Sequence, residues 1–279
     1  MLIKDQFRDS ALWDYVIPRN TDIVIASCYK SGTTLTQQII NLLIRQQSHF
    51  DSIIQLSPWV ESRLNPPTVE TLEQLDSPRF FKSHLPFDAL PYYPGWKYIY
   101  LVRDGRDVCL SLFHHCKSYL LKMDREGNPI DNGPDDFSEF WENWLETGKP
   151  RWAFWENIHS WWQIRHLPNV LLVHYTNLIG DKRKEAEKIA RFLSLEWNEA
   201  MADMVCKYSS LEYMKEHCYQ FEPTAGLFKP QTFINRGVNG YWKGLLHDAQ
   251  VEHYESLAYQ KLEPECAYWM ITGTGKTMP

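Results

Sequence analysis

The chain has 279 residues, of which 44% are hydrophobic and 14% aromatic, and its formal net charge at pH 7 is −6. This composition excludes an intrinsically disordered chain, and the length is sufficient to bury a sizeable hydrophobic core. The acidic balance argues against a protein that coats nucleic acid or an anionic membrane, but it is compatible with a local basic pocket for a small anion.

Strand and helix signals alternate along the chain. The β-branched run 22–27 predicts a buried strand, and apolar residues on one helical face predict a helix over 33–47. Further elements are predicted in this order: strands over 79–83 and 97–103, a helix from the capping Asp104 to about Leu121, helices over 135–146 and 151–166, a strand over 170–174, and helices over 182–194 and 249–261. The last helix is expected to end the fold, and segments 122–134 and 219–240 are predicted to be irregular. The alternation predicts an α/β fold in a single domain, residues 1–279, with a parallel sheet flanked by helices.

The sequence shows no pattern typical of export or of a membrane span. Its N-terminal segment carries scattered charges and no apolar run, and no stretch approaches the roughly 18 apolar residues of a spanning helix. The six cysteines form no CxxC pair, which favours reduced thiols over a disulfide framework. We therefore expect a cytoplasmic protein.

The turn between the first strand and the first helix has the composition of a phosphate cradle. A helix N-terminus presents unpaired N–H groups, and the helix dipole favours negative charge there. Gly32 allows close approach of the backbone, Lys30 adds a positive charge, and hydroxyl donors follow at Ser31, Thr33 and Thr34. The loop differs from the GxxxxGK[ST] loop of nucleotide triphosphatases, because Lys30 precedes the glycine. Taken alone, the segment is equally compatible with an ordinary helix start.

Basic residues recur at the ends of the later predicted strands. Lys82 and His84 follow the second strand and Arg103 ends the third, at the edge where open α/β sheets bind ligands. Arg236 lies in a glycine-containing loop near the C-terminus. Together with Lys30, these residues predict a focused anion pocket in an otherwise acidic protein.

These segments together resemble the cytosolic sulfotransferase family, which transfers a sulfonate group from 3′-phosphoadenosine 5′-phosphosulfate (PAPS). The family's YPKSGTTW element is similar to residues 28–35, its KTHLP element to 82–86, its RxxxDxxxS element to Arg103, Asp107 and Ser111, its TSFxxMK element to 209–215, and its GxxGxWK element to 237–243. The resemblance covers about residues 20–245 in the family's order. It implies a P-loop-like phosphosulfate-binding loop, PAPS as the cofactor, and a small-molecule acceptor rather than nucleic acid as the partner.

The resemblance also implies roles for individual residues. His84 is the expected general base, since a neutral imidazole can accept a proton near neutral pH. Lys30 is expected to neutralise the departing phosphate oxygen, and Lys82 to stabilise the sulfonyl oxygens. No metal is expected, because the phosphosulfate carries its own activation. The implied cofactor-binding residues are Lys30, Ser31, Gly32, Thr33, Thr34, Leu35, Arg103, Ser111, Tyr175, Ser209, Phe233, Asn235, Arg236 and Gly237.

Three features depart from the family's pattern. Leu35 and Leu211 stand where the family has the tryptophan and phenylalanine that hold adenine. Residues 235–237 read Asn-Arg-Gly instead of Arg-Lys-Gly, which removes one cation from the expected site of the 3′-phosphate. The vertebrate dimer motif KxxxTVxxxE keeps only Lys243 and Glu252, so that mode of association is not expected.

The sequence leaves the acceptor and two alternative functions open. His84 could deprotonate either a hydroxyl or an amine. The aromatic residues of the 141–155 region have a helical spacing more typical of a core than of a ligand cage: Trp141, Trp144, Trp152, Phe154 and Trp155. A nucleotide kinase would require magnesium and a true P-loop, whereas a non-catalytic nucleotide-binding module would account for the two leucines but not for a general base.

Overall fold

The computed structural model describes residues 1–222 and 227–275, and a four-stranded parallel sheet lies at its centre. The strands are β1 (Ile23–Ser27), β2 (Phe80–Ser83), β3 (Lys97–Val102) and β4 (Val170–His174), arranged in the order β2-β1-β3-β4. All three neighbouring pairs are parallel, and their bounds differ from the predicted ones by one residue or less. The predicted α/β fold with a helix-flanked parallel sheet is therefore confirmed.

The helices of the described segments connect and cover these strands. In chain order they are α1 (Thr33–Arg45), α2 (Ile53–Leu56), α3 (Val69–Glu73), α4 (Gly105–Ser118), α5 (Phe137–Thr147), α6 (Trp155–Gln163), α7 (Tyr175–Gly180), α8 (Lys182–Phe192), α9 (Glu199–Tyr208), α10 (Leu211–Glu216), α11 (Cys218–Phe221), α12 (Asp248–Lys261) and α13 (Pro264–Thr272), with short 3₁₀ turns at Ser10–Tyr15 and Phe87–Ala89. None of these helices combines the length and the apolar character that a bilayer crossing requires.

Both faces of the sheet are covered, which explains why β1, β3 and β4 are largely continuous apolar runs rather than alternating ones. All five residues of β1 are buried. Because side chains alternate along a strand, Val24 faces a core that contains Trp161 of α6, whereas Ile25 faces a second core that contains Ile39 of α1. The sheet thus lies between two helical layers, and the carboxyl ends of its strands meet at one edge.

The prediction that the fold ends with the helix over 249–261 is wrong. After α12, Pro264 occupies the first position of a further helix, where its missing N–H and fixed φ suit a helix start. α13 buries Cys266 and Met270 in the core, and the carbonyl oxygen of Met270 accepts a hydrogen bond from His174 Nε2 at 2.9 Å. The proline therefore separates two helices instead of terminating the last one.

Two other predicted segments are only partly correct. The helix predicted over 151–166 begins at Trp155, because the preceding residues form tertiary contacts in place of helical ones: Trp152 Nε1 donates to the carbonyl oxygen of Cys28 at 2.9 Å. The segment 219–240, predicted to be irregular, begins within α11, and its residues 223–226 lie outside the described part of the chain. The segment before Trp155 thereby brings Trp152 against the loop after β1.

A buried ion pair joins the starts of β1 and β2. The side chains of Asp22 and Arg79 are fully buried, and Arg79 Nε and Nη2 donate to the two carboxylate oxygens of Asp22 at 2.9 and 2.7 Å. Arg79 Nη1 also donates to Glu73 at 2.8 Å. Because both charges are removed from water, each depends on its partner, and loss of one leaves the other buried and uncompensated.

We expect Asp22→Ala to lower the free energy of unfolding by about 3–5 kcal/mol, because Arg79 would keep a buried charge without its main partner. The matched control is Arg183→Ala, which removes an exposed arginine that pairs with Glu199 and Asp203 and should leave stability nearly unchanged. Urea unfolding followed by circular dichroism measures both variants. Equal, small losses in the two variants would contradict this account.

Candidate active site

A cavity of about 790 Å³ opens at the carboxyl edge of the sheet. The residues after β1, β2 and β3 line it, because parallel strands end at the same edge. Most of the residues singled out in the sequence meet in its wall: Lys30, Gly32, Thr33, Thr34, Leu35, Lys82, His84, Arg103, Ser111, Tyr175, Ser209, Phe233, Asn235 and Gly237.

The loop after β1 presents unpaired backbone donors to this cavity. Lys30 and Gly32 adopt left-handed conformations, with φ of 50° and 97°. Gly32 caps the 13-residue helix α1 without a side-chain hydrogen bond, and no N–H group of residues 31–35 has a partner in the described part of the chain. A Cβ at Gly32 would lie 2.6 Å from the ring of Tyr175, so the position requires glycine. Such a curved row of N–H groups at a helix N-terminus suits an anion.

Two predicted cofactor-binding residues do not line the cavity. Ser31 is buried, and its hydroxyl donates to the carbonyl oxygen of Tyr29 at 3.0 Å, so it stabilises the loop after β1. The guanidinium of Arg236 lies over the ring of Tyr241, 3.7 Å from its centroid. The structure therefore brings the neighbouring Asn235 to the cavity but not the side chain of Arg236.

The ring of His84 is held in one tautomer. Its Nδ1 lies 2.9 Å from the carbonyl oxygen of Ser27, and because a carbonyl only accepts, Nδ1 carries the proton and Nε2 keeps its lone pair. The ring lies beside Trp59 and Trp152, with centroid distances of 5.2 and 5.7 Å. Burial, reinforced by the positive charge of Lys82, lowers the pKa of His84 well below its ordinary value. His84 is thus a neutral imidazole with a free basic nitrogen.

The backbone of His84 is fixed by a buried carboxylate that the sequence analysis did not identify. Glu61 is fully buried and accepts four hydrogen bonds: from the His84 N–H at 2.6 Å, Ser83 Oγ at 3.1 Å, Trp59 Nε1 at 2.6 Å and Trp13 Nε1 at 2.9 Å. Burial raises the pKa of Glu61, and these donors oppose the shift. Three of its four donors are distant in sequence, so no local pattern marks this residue.

The two lysines of the cavity carry strongly lowered pKa values. Burial, with the nearby charges of Lys82 and Arg103, lowers the pKa of Lys30 to about 7. Burial lowers that of Lys82 to about 8, and the carboxylate of Glu61 partly opposes the shift. Neither lysine has a carboxylate within 4 Å among the described residues. A multiply charged anion would supply the missing negative partner, and the donors of the cavity suit such an anion.

No group of three or more His, Cys, Asp or Glu side chains suited to a metal ion occurs in residues 1–222 and 227–275.

The glycine-containing loop near the C-terminus is tied to the start of α4. Asp107 accepts a hydrogen bond from the N–H of Gly240 at 2.9 Å. Arg103 donates to Asn239 Oδ1 at 2.9 Å and to the carbonyl oxygen of Val238 at 2.7 Å, and its Nη2 lies 4.0 Å from Asp107. The sequence spacing of Arg103 and Asp107 therefore serves to hold this loop over the cavity.

Part of the cavity wall is aliphatic. Leu35 and Leu211 both line it, and a Cβ on Gly237 would lie 3.0 Å from Leu211. Lys182 borders the same wall, and its ammonium group donates to the carbonyl oxygen of Ser209 at 2.5 Å. The sequence analysis did not single out Lys182, which lies in the charged first turn of α8.

The aromatic residues of the 141–155 region divide between core and cavity. Trp152 lines the cavity beside His84. The other four are buried in the core, as their helical spacing predicted: Trp141, Trp144, Phe154 and Trp155.

Comparisons with known proteins show the family of this chain. The profile of the sulfotransferase domain matches residues 20–264. Mouse sulfotransferase 1B1 is 30% identical over 257 residues, covering 86% of this chain and 82% of that protein, and human sulfotransferase 1E1 is 30% identical, covering 87% and 86%. Among solved structures, mouse sulfotransferase SULT7A1 complexed with PAP has a TM-score of 0.71 at 21% identity, covering 93% of this chain and 91% of that one. Retinol dehydratase in a complex with retinol and PAP has a TM-score of 0.73 at 21% identity, covering 96% and 86%. The chain therefore belongs to the sulfotransferase family, the enzymes that use PAPS as sulfonate donor.

Proposed function

We propose that this chain transfers a sulfonate group from PAPS to the hydroxyl or amine of a small organic acceptor by in-line displacement, with His84 as general base. The observation that carries the proposal is the tautomer of His84. The carbonyl oxygen of Ser27 engages Nδ1, which leaves Nε2 as a basic atom on a residue of the cavity wall. A module that only bound a nucleotide would have no use for an oriented base beside two lysines.

The chain's residues divide the chemistry between them. When bound, PAPS supplies an activated sulfonate whose bond to the 5′-phosphate oxygen breaks as the acceptor oxygen or nitrogen bonds to sulfur. His84 Nε2 takes the acceptor's proton, which makes that atom a better nucleophile. Lys30 and the free N–H groups of residues 31–35 would hold the phosphosulfate, and Lys82 would face the developing negative charge.

A separate set of residues would bind the 3′-phosphate. Arg103 and Ser111 line the cavity together with Asn235 and Gly237, whereas the side chain of Arg236 does not. We therefore assign the 3′-phosphate to the side chains of Arg103 and Ser111 and to the N–H of Gly237. An arginine suits this role because its planar fork matches a phosphate.

The relatives support a hydroxyl acceptor in particular. A guinea-pig relative, 28% identical over 262 residues, is named 3-alpha-hydroxysteroid sulfotransferase. Retinol dehydratase has been crystallised with androsterone and with retinol, two apolar alcohols. The aromatic and aliphatic side chains around His84 provide a comparable apolar wall.

We expect His84→Ala to lower kcat about 10²- to 10⁴-fold, the usual contribution of a positioned general base, while leaving PAP affinity nearly intact. Arg103→Ala should instead weaken PAP binding about 10- to 100-fold, because it removes charge-assisted hydrogen bonds. Transfer of labelled sulfonate from PAPS to a panel of phenols, alcohols and amines measures the first effect, and calorimetric titration with PAP measures the second.

Each of the two variants, His84→Ala and Arg103→Ala, serves as the control for the other. Equal losses of PAP affinity in both would contradict the division of roles. No transfer to any acceptor, together with no PAP binding by the unaltered chain, would overturn the proposed function itself.

The lowered pKa values of Lys30 and Lys82 predict proton uptake on binding. At about pH 8.5 both amines are largely neutral in the free protein, since their pKa values are about 7 and 8. An adjacent anion raises these pKa values, so PAP binding takes up protons there, and PAP affinity falls as the pH rises above about 7. Calorimetry in buffers of different ionisation enthalpy measures the uptake.

Lys30→Met should reduce this proton uptake, whereas Lys184→Met, an exposed position on α8, should not. At this pH the phosphates of PAP are already ionised, so the protons taken up come to the protein. Uptake that is absent in the unaltered chain, or unchanged in Lys30→Met, would contradict the prediction.

A further inference from the structure

The cavity contains an arginine that the transfer chemistry leaves unused. Arg151 is half-buried in the wall, with its guanidinium 4.4 Å from the ring centroid of Phe7 and 5.3 Å from that of Tyr119. Its neighbour Trp152 lies beside the ring of His84. These contacts place Arg151 among the aromatic side chains on the His84 side of the cavity. The acceptor must enter on this side if His84 is to reach its proton.

The hydrogen bonds of Arg151 leave its charge without a negative partner. Nη1 donates to the carbonyl oxygens of Asp131 and Pro150 at 2.8 and 3.0 Å, and Nη2 makes a longer contact of 3.4 Å with Asn132 Oδ1. All three acceptors are neutral, and no carboxylate of the described residues lies within 4 Å of this guanidinium. The contacts therefore orient the group without neutralising it.

The charged residues in the wall are all basic. In the described part of the chain they are Lys30, Lys82, Arg103, Arg151 and Lys182, and no Asp or Glu lines the cavity, although the chain as a whole has a net charge of −6. Lys30, His115 and Arg151 line the same cavity, and the positive charge of Arg151 contributes to the lowered pKa values of the other two groups. A protonated amine would be repelled there, whereas a second anionic group would be attracted.

We propose that Arg151 binds a carboxylate on the acceptor, so that the natural acceptor is an aromatic alcohol that also carries an acid group. This inference rests on the proposed function, because it takes the acceptor's hydroxyl to be at His84. Arginine is the side chain best suited to a carboxylate, since its N–H groups can form two parallel charge-assisted hydrogen bonds. The rings of Trp152 and Phe7 would cover the aromatic part of the acceptor.

Three phenols of matched shape test the charge preference: p-hydroxyphenylpropionate, p-propylphenol and p-hydroxyphenylpropylamine. With PAPS as donor, kcat/KM should be highest for the acid and lowest for the amine. Arg151→Gln should lower kcat/KM for the acid about 10- to 100-fold and leave that for p-propylphenol nearly unchanged. Arg151→Lys should retain part of the preference. The control is Arg125→Gln, an exposed arginine outside the cavity wall.

The outcomes separate this inference from the proposed function. Turnover of p-propylphenol as fast as the acid, or equal losses for both in Arg151→Gln, overturns the carboxylate site and leaves sulfonate transfer intact. PAP binding without transfer to any of the three phenols also overturns the inference alone. Neither PAP binding nor transfer overturns the proposed function and the inference together. If Arg151→Gln does not fold, the order of kcat/KM for the three phenols on the unaltered chain tests the carboxylate site.

Discussion

The active end of the sheet depends on one buried carboxylate. Glu61 accepts hydrogen bonds from Trp13, Trp59, Ser83 and the backbone of His84, and all of these donors except Trp59 are buried. Glu61 thereby fixes where β2 ends, and the carbonyl oxygen at the end of β1 then selects the tautomer of His84. The orientation of the base is built into the framework below the cavity before any ligand binds, which is the form of preorganisation that electrostatic catalysis requires.

The second constraint is the separation of charge between the surface and the cavity. An acidic chain places five basic side chains in the wall of one cavity, where burial lowers the pKa values of Lys30 and Lys82 and nearby positive charges lower that of Lys30 further. These unpaired cations destabilise the free protein, and a polyanionic donor relieves the repulsion. Asp107 and Glu61 do not line the cavity, and their carboxylates accept hydrogen bonds from the backbone N–H groups of Gly240 and His84.

The sequence predicted the parts of the molecule that local patterns determine. The loop after β1 is a local pattern, and the basic residues lie at or just after the ends of predicted parallel strands. As this placement predicted, Lys30, Lys82, His84 and Arg103 share one cavity. The direction of the Arg236 side chain was not predictable, because the folded loop lays it on the ring of Tyr241. The function of Glu61 and the position of α13 escaped prediction because contacts distant in sequence determine them. The single domain over 1–279, the cytoplasmic location and the absence of the vertebrate-type dimer stay predictions.

The central claim is that the cavity recognises a 3′-phosphorylated adenine nucleotide. Isothermal calorimetry with PAP, compared with 5′-AMP and with ATP and magnesium, tests it most directly. The account predicts micromolar or tighter binding of PAP that is lost when the 3′-phosphate is missing, because Arg103 and Ser111 lie in the wall to receive it. Preference for ATP and magnesium would indicate a nucleotide kinase and contradict the account. Equal affinity for PAP and 5′-AMP would also contradict it, because the 3′-phosphate would then contribute nothing to binding.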